Sequence, residues 1–381
     1  MISFCNTSRN NLTITEHNRI DDVKDLWNII LPPHHSLLSE NLKVLENSKP
    51  ESMVFKYLLV HKNNVLVGVL YLQHLKITTN HFDGTVIDKP GLGWLKKSVN
   101  SQFSDILVCG NLFRIHFPGY YFKNPKDDKL VFEILTDYLK SSKDNKRFCG
   151  IVLKDSPHLF SVTEKFKPYH DDVTMEIELK NKWTTLEDYK NSLSKKYKQR
   201  FIKIRKAKEL LVLKEFSTKE ILDNASKIEE LYLNVALKQS LRIGFVNANY
   251  FIEMKRRHGD AFIFKAYYFK EQFVAFSTNI AYENSTREIH FIGLDYAYNE
   301  SHCLYFNILF DGLEMAIAAN STKLELGRTA RVAKASLGAL PLEVHNYIFL
   351  RKGIPSLAFS FFNNWFIKNI GEEWQNRNPF K

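Results

Sequence analysis

One order of elements runs twice along this chain. In the first half a helix at 21–30 carries Val23, Leu26, Trp27 and Ile30 on one side and stops at Pro32-Pro33. Strands at 55–61 and 65–72 read as a hairpin turning at Lys62-Asn63-Asn64. A strand at 106–109, a helix at 127–141, a strand at 150–153, a short helix at 157–166 and an alternating strand at 173–179 follow. In the second half a helix at 219–238 aligns Ile221, Leu222, Ala225, Ile228, Leu231, Tyr232 and Val235. A second hairpin, 261–268 and 273–282, turns at Lys270-Glu271. Then come a strand at 288–294, a loop at 297–303 and a helix at 305–320 with Leu309, Phe310, Leu313, Ala316 and Ile317 on one face. A strand at 323–326, a short helix at 330–337 and a strand at 342–350 close the half. The repeat is one of order, not of residue identity. It predicts an α+β chain of two mixed-sheet units, residues 1–182 and 209–381, joined by a basic connecting helix at 183–208.

The bulk composition agrees with packed units. The 381 residues are 44% hydrophobic, enough for two cores. No apolar run approaches the roughly 18–20 residues that span a bilayer. Residues 1–19 are mostly polar and lack the apolar centre of a secretion signal. Cys5, Cys109, Cys149 and Cys303 lie too far apart for a CxxC pair, which fits a reducing compartment. The 13 His residues show no HExxH spacing, so no metal is expected. These features predict a cytoplasmic protein, at most peripheral to a membrane.

The net charge of +11 is concentrated. Residues 190–208 hold nine Lys/Arg and no acid, and without them only +2 remains. Thr184-Thr185-Leu186-Glu187 reads as a helix start with Glu187 three residues after Thr184. Leu193, Tyr197, Phe201 and Ile204 then form one apolar stripe on a helix that is otherwise basic. Four roles are open to this segment: a phosphate-binding nucleic-acid surface, a face for anionic lipid heads, a cleft lining for an acidic substrate or donor, and a solvated connector. Tyr197, Lys198 and Arg200 are its candidate substrate contacts. Near the C-terminus Leu357, Phe359, Phe361, Phe362, Trp365, Phe366 and Ile370 form an aromatic stretch suited to packing on the second unit or to a lipid-facing patch.

Several segments carry a resemblance. They are Cys109-Gly110-Asn111, Ser192-Leu193-Ser194-Lys195-Lys196-Tyr197, Phe291-Ile292-Gly293-Leu294-Asp295, Leu326-Gly327-Arg328-Thr329-Ala330 with Lys334, and Asn378-Pro379-Phe380-Lys381. With the element order of 288–350, they make the chain resemble tandem GNAT-like (acyl-CoA N-acyltransferase-type) proteins. The closer likeness is to the FemAB-like and cellulose-biosynthesis-type acetyltransferase branches. The resemblance implies a central strand that splays from its neighbour and pairs with a pantetheine arm, with pyrophosphate held at the loop and helix start that follow. Asn299 and Ser301 fall in that loop, which lacks the RxxGxG pattern of typical acetyl-CoA binders. Both are also natural helix caps.

The same resemblance implies a general base for the attacking ammonium. His290 and Asp295 are the candidates. Regular pairing would set Glu288, His290 and Ile292 on one face of their strand, unless Gly293 marks a bulge. Tyr305, at the start of the long helix, is the candidate acid for the leaving thiolate. Arg328, Arg331 and Lys334 cluster after a strand, where they suit a phosphate, a carboxylate or a developing oxyanion. The activity implied is direct acyl transfer from acyl-CoA or acyl carrier protein to an amine, such as an amino-lipid. No Ser or Cys stands in a nucleophile-elbow pattern. A FemAB-like transferase using aminoacyl-tRNA on a cell-wall precursor, with RNA contact, is the alternative. So is a non-catalytic binding module on the same fold.

Overall fold

Structural description covers residues 3–7, 11–50, 53–76, 105–141, 148–160, 166–169, 173–180, 182–238, 244–282, 285–350 and 377–381 of a computed structural model. The aromatic stretch at 357–370 and the whole of the segment at 79–100 lie outside these residues. Two units emerge, and neither is contiguous in sequence. Unit 1 comprises Met1–Asp172, Ser240–Val246 and Val344–Ile370. Unit 2 comprises Val173–Gln239, Asn247–Glu343 and Gly371–Lys381.

Unit 1 contains β1 (Ser3–Thr7), β2 (Leu12–His17), α1 (Lys24–Ile30), α2 (Ser39–Ser48), β3 (Met53–Lys62) and β4 (Val65–Lys76). It continues with β5 (Asp105–Cys109), β6 (Tyr120–Phe122), α3 (Leu130–Ser141), β7 (Phe148–Ser156) and β8 (Lys167–Tyr169). Its sheet runs β1-β2-β3-β4-β5-β7, then a strand from late in the chain, β16 (His345–Leu350), then β8, with β6 also on β4. All pairs are antiparallel except β5 with β7. The β3–β4 hairpin turns on Asn63 and Asn64, both left-handed (φ 50° and 64°), the backbone that a two-residue turn between twisted strands requires and that Asn tolerates.

Unit 2 contains β9 (Val173–Glu178), α4 (Leu186–Ser192), α5 (Lys195–Lys208), β10 (Val212–Glu215), α6 (Thr218–Asp223), α7 (Ala225–Ala236) and α8 (Ala248–His258). Then follow β11 (Phe262–Phe269), β12 (Gln272–Ala281), β13 (Thr286–Leu294), α9 (Tyr296–His302), α10 (Leu304–Ala318), β14 (Lys323–Glu325), α11 (Arg331–Ala335) and β15 (Leu340–Glu343). The sheet order is β10-β11-β12-β13-β14-β9-β15, with β13/β14 the parallel pair. Its core joins Leu309, Leu313 and Ile317 of α10 to Leu324 and Ile289 of the sheet and to Phe201 and Ile204 of α5. The architecture is α+β with two mixed sheets.

Several elements differ from the sequence expectation. The strand read at 342–350 is two strands in different sheets, β15 and β16, divided at Val344. The alternating strand at 173–178 pairs with β14 and β15 and so belongs to unit 2, not to the first unit. Each sheet thus takes the strand between its last two from the other half of the chain. The helix read at 219–238 is two, α6 and α7, broken at Asn224, whose side-chain amide donates to the Glu220 carbonyl. The basic connector is likewise two helices, α4 and α5. Thr185 rather than Thr184 caps α4, in a reciprocal box with Asp188 rather than Glu187. Residues 157–160 are not helical, and 161–165 fall outside the description. The helices α2, α8 and α9 and the strands β1, β2 and β10 have no counterpart in the sequence reading.

Candidate active site

The site is built where two parallel strands part. β13 and β14 pair only through Thr286–Lys323, Arg287–Leu324 and Glu288–Glu325. β13 then continues for six residues, Ile289 to Leu294, held by β12 on its other edge. The chain leaving β14 stays instead with β9, through Leu326 N–H to Met175 O (2.9 Å) and Met175 N–H to Gly327 O (3.2 Å). The β14-side edge of β13 therefore has no strand partner among the described residues beyond Glu288. His290 is half-buried as a residue, yet its side chain is only 1% exposed. Its accessible surface is main chain, as an open strand edge demands.

Beside this opening β13 carries a bulge. Ser277 pairs with Ile292 and Asn279 with Ile289, so Thr278 alone opposes both His290 and Phe291. The Thr278 hydroxyl accepts from Phe291 N–H (2.8 Å) and donates to Phe291 O (3.2 Å), replacing the ladder bonds that the bulge removes. The bulge overturns regular alternation. Ile292 packs with Ile289 against the core beside α10, whereas His290 and Phe291 both turn toward Tyr250 of α8. Gly293 falls on that second side, where a Cβ would meet the Phe276 ring at 2.2 Å.

A buried hydrogen-bond chain runs from the bulge. Tyr282 donates to Glu288 Oε2 (2.5 Å), Glu288 Oε1 lies 2.7 Å from His290 Nδ1, and His290 Nε2 lies 2.6 Å from the Tyr250 hydroxyl. The network assigns the protons. An ionised carboxylate only accepts, so Nδ1 carries the hydrogen and Nε2 accepts from Tyr250. A His backed by a carboxylate and facing a hydroxyl is a proton acceptor, here inside the protein, for Tyr250 is itself only 1% exposed. Of the four members the sequence points to His290 alone as a candidate base. Glu288 was visible two residues away on the same strand, but Tyr250 lies on a helix that the sequence reading missed.

The remaining candidates divide into helix ends and a basic turn. Asp295 caps α9, accepting from Ala297 N–H (3.0 Å). Cys303 takes a left-handed backbone (φ 49°) between α9 and α10. Asn299 reaches across that junction and accepts the Tyr305 N–H (3.0 Å), satisfying one donor of the first turn of α10. Ser301 donates to Tyr298 O (3.3 Å) and sits 2.8 Å from His302 Nδ1. Burial raises the Tyr305 phenol well above its ordinary range, so it remains a proton donor at neutral pH.

Arg328, Arg331 and Lys334 do come together. They follow β14, the strand that diverges from β13. Lys334 is buried and donates to Gly327 O (3.0 Å). Glu325 Oε1 accepts from Gly327 N–H (2.7 Å) and from the Thr174 hydroxyl. The turn bearing Arg328 is therefore pinned from both of its main-chain polar groups, with Gly327 at φ 83° where glycine is favoured. Arg331 Nε donates to Arg328 O (3.3 Å). Burial lowers the Lys334 pKa to about 7, against the pull of Glu325.

The residues of α5 serve mostly to hold it in place. The Arg200 guanidinium lies 4.3 Å over the Phe306 ring of α10, Lys198 donates to Asn191 (2.8 Å), and Tyr197 packs half-buried on the core. No group of three or more His, Cys, Asp or Glu among the described residues is placed to hold a metal ion.

Among the described residues unit 1 lacks the opening. Its counterpart strand β5 pairs with β4 on one side and β7 on the other through its last residue, Cys109. Beyond it Gly110 bridges to Pro118, and a Cβ at Gly119 would lie 2.1 Å from Gly110 N.

No protein-family model and no curated protein matches this chain. Solved structures do share its fold. A tandem GNAT protein from the clavulanic acid biosynthesis pathway is similar over 89% of this chain and 98% of its own, with a TM-score of 0.50 and 8% identity. A conserved protein from Bacteroides thetaiotaomicron is similar over 92% and 100%, with a TM-score of 0.46 and 10% identity. A GCN5-related N-acetyltransferase from Kribbella flavida is similar over 88% and 72%, with a TM-score of 0.44 and 9% identity. At 8% identity the first shows a common fold, two GNAT-like units in tandem, and the others add nothing to that assignment.

Proposed function

We propose that unit 2 is an N-acyltransferase that moves an acyl group from a thioester, acyl-CoA or acyl carrier protein, directly onto an amine. The observation that carries this reading is the parting of β13 from β14 beside the Glu288–His290 pair. An open strand edge offers N–H and C=O groups at the spacing of an extended amide chain, which is what a pantetheine arm presents. The amine arrives protonated. Tyr250 passes its proton to His290 Nε2 and takes one from the ammonium, and Glu288 stabilises the imidazolium. The amine nitrogen then bonds to the thioester carbonyl carbon, the C–S bond breaks, the leaving sulfur takes its proton from Tyr305, and the second proton that the nitrogen sheds on becoming an amide restores Tyr305, so that one net proton remains on His290 and leaves to solvent. Arg328 and Arg331 face the anionic end of the donor or its developing oxyanion. In this reading Asp295 and Ser301 shape α9, and Asn299 holds the start of α10 in place. An amine carried by a lipid is the acceptor class proposed.

The test is thiol release and product mass with short- and long-chain acyl-CoAs, acylated carrier protein and a panel of amines. At least one pair is expected to react, and His290→Asn is expected to cost about 10²–10⁴ in rate with melting unchanged. Reaction that ignores His290→Asn overturns the relay. Transfer supported only by a charged tRNA overturns the thioester donor in favour of FemAB-like chemistry. No transfer from any donor leaves a binding module on a GNAT-like fold.

A further inference from the structure

The helix α5 carries far more charge than its packing uses. Of its 14 residues eight are Lys or Arg and none is acidic. Four of the eight are committed inward or to neighbours. Arg205 and Lys208 pair with Asp311 at 2.6 and 2.5 Å, Arg200 stacks on Phe306, and Lys198 bonds Asn191. Lys195, Lys196, Lys203 and Lys206 are exposed. Lys195, Gln199, Ile202 and Lys206 fall at i, i+4, i+7 and i+11, which is one stripe, with Lys196 and Lys203 beside it. Within that stripe Ile202 is 50% exposed, and Leu210 in the turn just past the helix is 60% exposed.

We propose that this outward face of α5 docks on an anionic lipid bilayer. Lysines on a helix lying in the interface reach lipid phosphates, and aliphatic side chains between them enter the headgroup–acyl boundary. A single-stranded nucleic acid would instead want aromatic rings and arginines for stacking. Here both arginines of α5 are engaged with α10, and its aromatics, Tyr197 and Phe201, pack on the core of unit 2. No helix among the described residues is long and apolar enough to cross a membrane, so the contact is peripheral. It matches the lipid-borne amine proposed as acceptor, yet its test reads binding, not turnover, so the two readings fail separately.

The experiment is co-sedimentation of the full chain with vesicles of phosphatidylcholine alone or with about one third phosphatidylglycerol. Binding to the anionic vesicles only is expected, weakening as salt shortens the screening length. Each exposed lysine is expected to contribute about five-fold. Lys195→Glu/Lys203→Glu/Lys206→Glu should then lose at least about 100-fold, and Ile202→Ser a few-fold, both with unchanged circular dichroism and melting. A charge-matched control on unit 1, Lys123→Glu/Lys126→Glu/Lys129→Glu, should bind as the parent does. Equal loss in the control reduces the effect to net charge and overturns the proposal. So does equal binding to both vesicle types, or poly-uridine displacing the chain from vesicles at a competitor level that leaves the helix variants unbound to either.

Discussion

Glu288 and Tyr250 sit on opposite sides of one imidazole, and their substitution separates orientation from proton transfer. Glu288→Gln keeps the size of the side chain but lets it donate to Nδ1, which leaves Nε2 protonated and facing Tyr250 as a donor. Turnover is expected to fall about 10²-fold or more, and the acid limb of the pH–rate profile to shift. Tyr250→Phe should lower turnover while leaving the His290 tautomer intact, as its imidazole nitrogen NMR shifts would report. Full activity in either variant removes that residue from the relay. Lys334 permits a prediction of a different kind. Its pKa is lowered to about 7 from 10.5, so between pH 7 and 10 the unfolded chain holds a proton that the folded chain does not. Stability therefore rises with pH across that window, by at most about 1.4 kcal/mol per pH unit. Below pH 7 both states are protonated and the cost of burying the cation is constant. Lys334→Met should remove this slope, measured as the difference in denaturant stability between parent and variant at pH 7, 8 and 9. A difference that stays flat would mean that the ammonium is solvated.

At the level of elements, one buried carboxylate of α10 bonds to both the sheet and α5. Asp311 is 2% exposed and accepts from Tyr267 (2.9 Å), Arg205 (2.6 Å) and Lys208 (2.5 Å). Asp311→Asn leaves the two cations facing a neutral amide, with the half-exposed Glu314 still 2.8 Å from Arg205 and 3.8 Å from Lys208. Because both cations keep some solvent, the expected cost is about 2–4 kcal/mol rather than the full penalty of a dry pair. Denaturant unfolding measures it, and Lys208→Met in the same background should recover part of the loss. The sequence disclosed α10, because a long helix with apolar residues on one face is periodic enough to read. Both hairpins were legible from alternation and turn position. The Arg328–Lys334 cluster was legible too, since proximity along the chain brought its members together. What stayed hidden depends on pairing across distance. The period of two that marks 342–350 as extended says nothing about which sheet each part joins. The bulge at His290–Phe291 is created by a threonine on another strand. In α9, Tyr-Ala-Tyr-Asn-Glu-Ser-His is short and polar and looks like loop; a cap by Asp295 and a left-handed Cys303 make it a helical turn. In α8, Tyr250 lay beyond reach because Lys255, Arg256, Arg257 and His258 dilute its apolar pattern.

For the molecule as a whole, two units of like topology need not bind two donors. The strand that carries the opening in unit 2 runs six residues past its last pair with β14, whereas β5 in unit 1 is paired on both edges to its end. The segment beyond β5 closes further on itself: a Cβ at Gly110 would lie 2.8 Å from the Lys154 Cβ, and Lys154 is locked by Asp155 and by Arg114 O at 2.8 Å. Burial also raises the Cys109 thiol at the end of β5, so it offers no thiolate there. Opening unit 1 would break a formed ladder and expose a buried ion pair, each a cost of several kcal/mol. In the proposed reading, the described residues offer the donor one parted pair of parallel strands, that of unit 2. Calorimetric titration with coenzyme A is expected to give one site per chain. Arg328→Glu/Arg331→Glu should abolish that site, and Lys123→Glu/Lys126→Glu on unit 1 should leave it unchanged. Two equivalents of ligand per chain, or one that survives the unit 2 reversal and is lost on the unit 1 reversal, would move the donor to unit 1 and detach it from His290.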